Sequence, residues 1–370
     1  MKYLSEYRDP QLVKACLKEL HAITRSNWTL MEICGGQTHS LVKNGILDML
    51  PSQITMVHGP GCPVCVTSVG IIDEAIYLAE RPATILCSFG DMLRVPGSQK
   101  SLLEAKAAGA DIRILYSPLE AVELAEKNPD KEVVFFAVGF ETTAPANALS
   151  ILQAAGKQLT NYSILTSHVL VPPAMETILG DPSNRIDGFL AAGHVCTIMG
   201  LEAYYPIAEK YRTPIVVTGF EPVDLLQGIV MAVKQLESGR YEVENQYSRN
   251  VQAAGNPMAR QTVADVFAVQ DRTWRGIGAI ANSGYEVNTR YQHYNARWKF
   301  SMQLPLVREN PDCISGDIMK GLKKPFQCPN FGKKCRPETP LGAPMVSSEG
   351  ACAAYYQYHF ETPEIQVTAC

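Results

Sequence analysis

Short, continuous apolar runs alternate with amphipathic segments between residue 54 and Gly239. The apolar runs predict seven β-strands, at residues 54–57, 84–88, 112–116, 133–138, 163–166, 186–190 and 215–218. Strands that are apolar throughout and separated by helices are typical of parallel sheets with both faces covered. The sequence therefore predicts an α/β protein whose strands divide into two sheets, with the break near Asn128-Pro129-Asp130.

The composition limits the kinds of partner that the chain can have. Its 370 residues are too many for one ordinary domain, so two or three are expected. The formal net charge of -4 argues against a nucleic-acid partner, which normally meets a basic surface. The longest strongly apolar run, residues 133–138, is too short to cross a bilayer, and residues 1–10 lack the apolar stretch of a signal peptide. We therefore expect a cytoplasmic protein without a membrane partner, whose eleven cysteines serve metal or thiol chemistry rather than disulfides.

Two cysteines lie close together in the glycine- and proline-rich segment His58-Gly59-Pro60-Gly61-Cys62-Pro63-Val64-Cys65. The segment follows the predicted strand at 54–57 and precedes a predicted helix at 67–79. The N–H groups and the dipole of a helix N-terminus favour a thiolate over a thiol. Half of a zinc site and two packed cysteines are the alternatives, but a zinc site would require a second close pair nearby, and none follows. A redox or metal-handling role for Cys62 and Cys65 is favoured.

A second unusual segment, Cys34-Gly35-Gly36-Gln37-Thr38-His39, precedes this pair. The double glycine allows the backbone to approach whatever Cys34 binds. His39 is expected in the first turn of a helix that continues to Leu50. The alternative is a capping Thr38 beside a surface His39. The rarity of the sequence favours function, although the spacing alone does not decide.

Polar residues follow six of the predicted strands, where open α/β sheets place their sites. They are His58 with the cysteine pair, Asp91, Glu141, His168, His194 and Glu221. Glu141 and Glu221 can each be explained as a helix-capping acid. Six such positions favour a shared cleft over six independent caps. The sequence contains neither a P-loop nor a GxGxxG motif, so nucleotide binding has no support.

The C-terminal part carries four cysteines separated by 14, 6 and 16 residues: Cys313, Cys328, Cys335 and Cys352. Four thiolates in a loop-rich segment are what a [4Fe-4S] cluster requires. A zinc site with the same ligands is the alternative. Zinc sites usually show two close pairs, and these spacings are wide, so the iron–sulfur cluster is favoured.

Together these motifs resemble those of the HypD family of [NiFe]-hydrogenase maturation proteins. Three further segments contribute to the resemblance: residues 139–145 (GFETTAP), 167–173 (SHVLVPP) and 347–352 (SSEGAC). The resemblance covers essentially the whole chain. It implies two α/β domains, at 31–128 and 129–239, and a third domain with a [4Fe-4S] cluster, built from residues 1–30 and 240–370.

The resemblance also implies a role as the scaffold on which an Fe(CN)2(CO) group is assembled. Cys34 is then the principal iron ligand, and Cys62 and Cys65 are iron ligands or a redox pair, because such an iron requires soft thiolates. The cluster supplies electrons. The implied partners are a HypC-type chaperone, a HypE-type cyanide donor and the hydrogenase large subunit.

Five polar residues are expected to hydrogen-bond the diatomic ligands or to move protons, because they follow strand ends: His39, His168, His194, Glu141 and Glu221. Two other interpretations stay open. One is a cluster-dependent thiol–disulfide oxidoreductase that uses Cys62 and Cys65 alone. The other is a structural zinc protein with a binding cleft. Whether the chain is an enzyme is left undecided; an assembly scaffold with redox activity is the main interpretation.

Overall fold

The computed structural model describes residues 6–303 and 307–358. Its strands are β1 Trp28–Glu32, β2 Ile54–His58, β3 Thr84–Ser88, β4 Asp111–Ile114, β5 Glu132–Gly139, β6 Tyr162–His168, β7 Gly188–Ala192, β8 Ile215–Thr218, β9 Val243–Asn245, β10 Phe267–Trp274 and β11 Gly278–Val287. Its α-helices are α1 Pro10–Ile23, α2 Gly35–Lys43, α3 Ile46–Met49, α4 Pro63–Val66, α5 Val69–Ala79, α6 Leu102–Ala107, α7 Pro118–Lys127, α8 Ala144–Gly156, α9 Val171–Leu179, α10 Gly193–Met199, α11 Tyr205–Tyr211, α12 Pro222–Glu237, α13 Pro257–Val266, α14 Ala296–Lys299, α15 Ser315–Met319 and α16 Ala351–Tyr358.

Two parallel sheets form the centre of the molecule, as predicted for an α/β protein. The first has the strand order β2-β1-β7-β8-β9, and the second has the order β4-β3-β5-β6. Every pairing within them is parallel. The α/β fold class is confirmed.

The predicted division of the strands between the sheets is wrong. β3 pairs with β5 across Asn128-Pro129-Asp130, so this segment does not separate the sheets. The first sheet instead combines β1 and β2 with β7, β8 and β9, and the second is inserted between them in the sequence. Strand periodicity shows where strands lie but not which strands pair. The three domains expected at 31–128, at 129–239 and at 1–30 with 240–370 stay a prediction. Residues 1–5, 304–306 and 359–370 of the third domain lie outside the described residues.

Several elements differ from the sequence prediction for local physical reasons. β1 was not predicted, because Thr29 and Glu32 interrupt its apolar run. The helix expected to continue to Leu50 ends at Lys43, because Gly45 adopts a left-handed conformation with φ of 62°. The antiparallel hairpin β10–β11 lies where the alternation fades, and most of its residues are at least partly exposed.

Neighbouring residues of β1 point to opposite faces of the first sheet, and both faces are covered. Leu30 packs into a core with α1 and α12, whereas Met31 packs into a second core that includes Phe189 and Trp274. Neither Leu30 nor Met31 is exposed. Among residues 6–303 and 307–358, no helix is both long and apolar enough to span a membrane.

Trp274 is the largest fully buried side chain of the core that reaches the cysteine-rich loops. Its indole N–H donates to Ser283 Oγ at 2.9 Å. We expect Trp274→Ala to lower the free energy of unfolding by about 3–5 kcal/mol, because it leaves a cavity in a closed core. Trp298, which is 54% exposed, provides the control: Trp298→Ala should change the free energy of unfolding by no more than about 0.5 kcal/mol. Urea denaturation followed by circular dichroism measures both, and equal effects would contradict the assignment of the core.

Candidate metal and thiol site

Glu32 and His58 end the paired strands β1 and β2 and lie opposite each other in the parallel register. Both side chains are buried, and His58 Nδ1 lies 2.6 Å from Glu32 Oε1. The other ring nitrogen, Nε2, lies 2.9 Å from the hydroxyl of Tyr355 on α16. Burial raises the pKa of Glu32, although its hydrogen bonds, chiefly that with His58, oppose the shift. The pair thus ties both strand ends to the C-terminal helix.

The Glu32 carboxylate also positions the loop that carries Cys34. Its Oε2 accepts a hydrogen bond from Cys34 N–H at 2.9 Å, and its Oε1 accepts one from the Thr38 hydroxyl. The Cys34 carbonyl accepts hydrogen bonds from the N–H groups of Gln37 and Thr38, at 2.9 and 3.0 Å, at the start of α2. Sequence reasoning missed Glu32, for which the only signal was an acid two residues before Cys34.

The Cys34 thiol is buried beside one histidine. His194, in the first turn of α10, places Nδ1 and Nε2 at 3.8 and 3.9 Å from Cys34 Sγ. Its ring packs against Phe220, with ring centroids 5.1 Å apart. Burial raises the pKa of the Cys34 thiol well above its ordinary value, and the carboxylate of Glu349 adds to the shift. Burial lowers the pKa of His194 to about 4, so a neutral imidazole faces an uncharged thiol.

The two cysteine-bearing loops are packed backbone against backbone. Gly35 N–H donates to the Gly61 carbonyl at 3.1 Å, and Gly59 N–H donates to the Glu32 carbonyl at 2.8 Å. A Cβ atom at Gly61 would lie 2.2 Å from Cys34 N. Only glycine fits there, and this close approach brings the Cys62–Cys65 segment beside Cys34.

The cysteine pair lies at the start of the one-turn helix α4. Cys65 N–H donates to Cys62 Sγ at 3.3 Å. The expected thiolate is not supported at Cys65, because burial raises its pKa well above the ordinary value and the neighbouring Cys62 adds to the shift. Burial therefore outweighs the helix terminus. Cys352 and Glu349 raise the pKa of Cys65 further.

The segment Ser348–Glu349 closes the site from the C-terminal side. A Cβ atom at Gly35 would lie 2.5 Å from the Glu349 carbonyl oxygen, so the two backbones touch. His39 Nδ1 lies 3.1 Å from the Ser348 carbonyl, and its ring meets Tyr358 edge-on. His39 is thus held beside the thiol site by the segment around Glu349. Burial raises the pKa of Glu349.

The other three predicted residues lie in different surroundings. Glu221 is the N-cap residue of α12 and forms an ion pair with Arg8, with Arg8 Nη2 at 2.8 Å from its Oε1. Glu141 follows β5, and His168 is the last residue of β6, both in the second sheet. Among the described residues, none of the three has a hydrogen bond or ion pair with Cys34, Cys62 or Cys65. Their roles at an iron site stay a prediction.

The four C-terminal cysteines, although far apart in sequence, line one pocket together. Leu341 N–H points at Cys335 Sγ, at 3.4 Å. A Cβ atom at Gly342 would lie 2.2 Å from Cys313 Sγ, so the absence of a side chain makes room for that sulfur. Burial raises the pKa of Cys352 well above its ordinary value, and the other three cysteines add to the shift.

This pocket fits an iron–sulfur cluster by its donor set, its glycine and its backbone N–H group. Burial and the other three thiols raise the pKa of Cys352, and cluster iron would supply the positive charge that thiolates in this pocket need. Within the part of the chain that the structure describes, no group of three or more His, Cys, Asp or Glu side chains is arranged to hold a metal ion. The identity of the cofactor stays a prediction.

Fold and site together define a thiol-rich α/β protein whose buried cysteines gather at the ends of parallel strands. The family model HypD, described as the hydrogenase formation hypA family, matches residues 11–359. The chain belongs to the HypD family of hydrogenase maturation factors.

Three relatives illustrate how far the similarity extends. Hydrogenase maturation factor HypD2 of Bradyrhizobium diazoefficiens is 50% identical over 368 residues, which cover 97% of each chain. HypD of Rhizobium leguminosarum bv. viciae is 48% identical over 97% of this chain and 96% of its own. HypD of Escherichia coli (strain K12) is 45% identical over 98% of this chain and 100% of its own.

The close packing at Gly61 makes a specific prediction. Gly61→Ala should move the Cys34 backbone, and a shift of 1 Å at a reacting group costs on the order of 100-fold in activity. We expect hydrogenase maturation, measured in cells that lack their own copy of the gene, to fall by about that factor. Gly70→Ala is the matched control, because a Cβ atom at Gly70 meets nothing within 4 Å. Full maturation by a folded Gly61→Ala protein would contradict the packing.

Proposed function

We propose that this hydrogenase maturation factor is the scaffold on which an iron ion receives cyanide and carbon monoxide. A HypC-type partner shares the iron, a HypE-type protein donates the cyanide, and the hydrogenase large subunit receives the product. The observation that carries the proposal is the packing of the Cys34 loop against the Cys62–Cys65 segment, with His194 Nδ1 at 3.8 Å from Cys34 Sγ. Membership of the HypD family supports the maturation role.

The electrostatics of the thiol site suit the capture of a cation. Burial keeps Cys34 and Cys65 protonated, so each would ionise only when a positive charge arrives. Iron that carries cyanide and carbon monoxide favours soft thiolate ligands. The neutral imidazole of His194, 3.8 Å from Cys34 Sγ, can accept a hydrogen bond from the Cys34 thiol before the metal displaces its proton.

The second cysteine group would supply electrons to the first. Cys313, Cys328, Cys335 and Cys352 are the residues that would hold a [4Fe-4S] cluster, which exchanges single electrons when bound. Pro344 and Met345 line the same pocket as these cysteines, and the turn that contains them packs against α4, which carries Cys65. This proximity supports electron transfer between the cluster pocket and the Cys62–Cys65 pair.

A second candidate function is a cluster-dependent thiol–disulfide oxidoreductase. The observation that favours it is the hydrogen bond from Cys65 N–H to Cys62 Sγ at 3.3 Å, which places the two cysteines together in the first turn of α4. In that function Cys62 and Cys65 cycle between dithiol and disulfide, and Cys34 takes no part. Replacing Cys34 therefore separates the two functions.

Infrared spectroscopy tests the scaffold directly. Protein purified without oxygen, from cells that make the partner proteins, should show absorption bands of iron-bound cyanide and carbon monoxide. Cys34→Ala should abolish these bands, because the iron loses a ligand. Cys16→Ala, at a half-buried position on α1, should retain them. Bands of undiminished intensity in Cys34→Ala would exclude Cys34 as a ligand. Unmutated protein that contains the iron–sulfur cluster but shows no such bands would favour the oxidoreductase.

The cluster pocket makes a separate prediction. Cys352→Ser should remove most of the iron and acid-labile sulfide, together with the visible absorption that they cause, because one of four cluster ligands is lost. Cys16→Ser is the control and should leave all three unchanged. Elemental analysis of the anaerobically purified proteins gives iron, sulfide and zinc. Unchanged iron and sulfide in Cys352→Ser would overturn this ligand set, and stoichiometric zinc would support the structural zinc protein.

A further inference from the structure

Two rings, those of His194 and Phe220, stand beside the loop that carries the Cys34 thiol. A Cβ atom at Gly36 would lie 3.4 Å from Phe220 Cδ1 and 3.7 Å from Cys34 Sγ, so the phenyl ring and the thiol border the same glycine. The two rings pack on each other, with centroids 5.1 Å apart. Cys34 is 3% exposed. The placement of these rings therefore limits what can reach the thiol.

Tyr247, in the turn after β9, packs against the residue that precedes each of these rings. A Cβ atom at Gly193 would lie 2.5 Å from Tyr247 Cδ1, and one at Gly219 would lie 2.7 Å from Tyr247 Cε2. The Tyr247 ring also meets the Phe220 ring edge-on, with centroids 6.1 Å apart. Close-packed groups of this kind transmit a displacement to their neighbours. The tyrosine ring thus fixes the backbone from which His194 and Phe220 project.

A buried ion pair fixes Tyr247 in turn. Arg249 lies over the tyrosine ring, with its Cζ atom 4.4 Å from the ring centroid. Its two terminal nitrogens donate to the two carboxylate oxygens of Asp224, at 2.7 and 2.6 Å, and the Asp224 side chain is not exposed. The ring of Tyr7 lies 3.7 Å from the same Cζ atom. Bidentate pairs of this type have a defined geometry, so the arginine holds the tyrosine ring in one place.

All of these contacts are made by the ring of Tyr247 and none by its hydroxyl oxygen. The tyrosine does not replace His194 or Phe220 beside Cys34 but supports both of them from behind, through the two glycines. One side chain therefore controls two groups at the thiol, and a phenylalanine in its place would retain every contact.

We infer that Tyr247 is a positioning residue of the thiol site: its ring holds His194 and Phe220 in place, and so keeps the Cys34 thiol covered. The inference deepens the proposed function, because Cys34 is the iron ligand of that proposal. The packing itself involves no metal, so it can be tested separately from the assembly of the iron ligands.

Alkylation of Cys34 by iodoacetamide tests the inference. The full chain is purified without oxygen from cells that lack the partner proteins, and mass spectrometry follows the alkylated Cys34 peptide over time. We expect Tyr247→Ala to react about tenfold faster than the unmutated chain, because a buried thiol becomes accessible when the groups that cover it open locally. Tyr247→Phe should react at the unmutated rate, since it keeps the ring.

Two controls separate positioning from a loss of stability. Tyr211 is half-buried against the same core as Tyr247, and Tyr211→Ala should change the Cys34 rate by no more than about twofold. Cys87, buried in the core of the second sheet, should react at the same rate in every variant. Equal Cys34 rates in Tyr247→Ala and Tyr211→Ala, or an equal rise at Cys87, would overturn the inference. If Tyr247→Ala does not fold, Tyr247→Leu decides, and an unchanged Cys34 rate in it would have the same meaning.

Infrared spectra of the same variants, made together with the partner proteins, connect this result to the proposed function. The bands of iron-bound cyanide and carbon monoxide should weaken in Tyr247→Ala and keep their full intensity in Tyr247→Phe. Faster alkylation of Cys34 in Tyr247→Ala, in a chain that shows no bands even when unmutated, would support the positioning role and contradict the scaffold. Full bands in Tyr247→Ala with an unchanged alkylation rate would contradict the positioning role and leave the scaffold supported.

Discussion

The buried carboxylate of Glu32 joins parts of the chain that would otherwise be independent. One oxygen meets His58 and the Thr38 hydroxyl, and the other accepts the N–H of Cys34. A carboxylate removed from water is costly unless it is fully hydrogen-bonded, so this arrangement has little freedom to vary. The ends of β1 and β2 and the first turn of α2 are therefore fixed relative to one another. The position of the Cys34 thiol follows from that constraint.

Burial makes the thiols of both cysteine groups, the one around Cys34 and Cys65 and the one that includes Cys352, harder to ionise. It raises the pKa of Cys34, Cys65 and Cys352, and neighbouring acids or thiols add to the shifts. A disulfide exchange enzyme benefits from a thiol that is readily ionised. A binding site for a cation instead benefits from thiols that ionise only on contact with it, since they do not repel one another beforehand. The raised pKa values of the thiols therefore support the proposed metal handling over the alternative of simple exchange chemistry.

The sequence predicted the α/β class, most strands and the glycine-rich loops, because these depend on local periodicity and local chemistry. It did not predict the pairing of β3 with β5 across Asn128-Pro129-Asp130, since pairing depends on contacts between distant segments. Glu32 was missed for a related reason. An acid in a strand has no distinctive local pattern, and its importance arises only when β2 places His58 opposite it. Glu141 follows β5 of the second sheet, and sequence order alone does not show to which sheet a strand belongs.

The helix α16 contacts both cysteine groups. Cys352 lines the C-terminal cysteine pocket, and Tyr355, three residues later, contacts His58 at the end of β2. Residues three apart lie on the same face of a helix, so one face of α16 contacts both sites. A continuous series of hydrogen bonds thus runs from Tyr355 on α16 through His58 and the carboxylate of Glu32 to the backbone of Cys34.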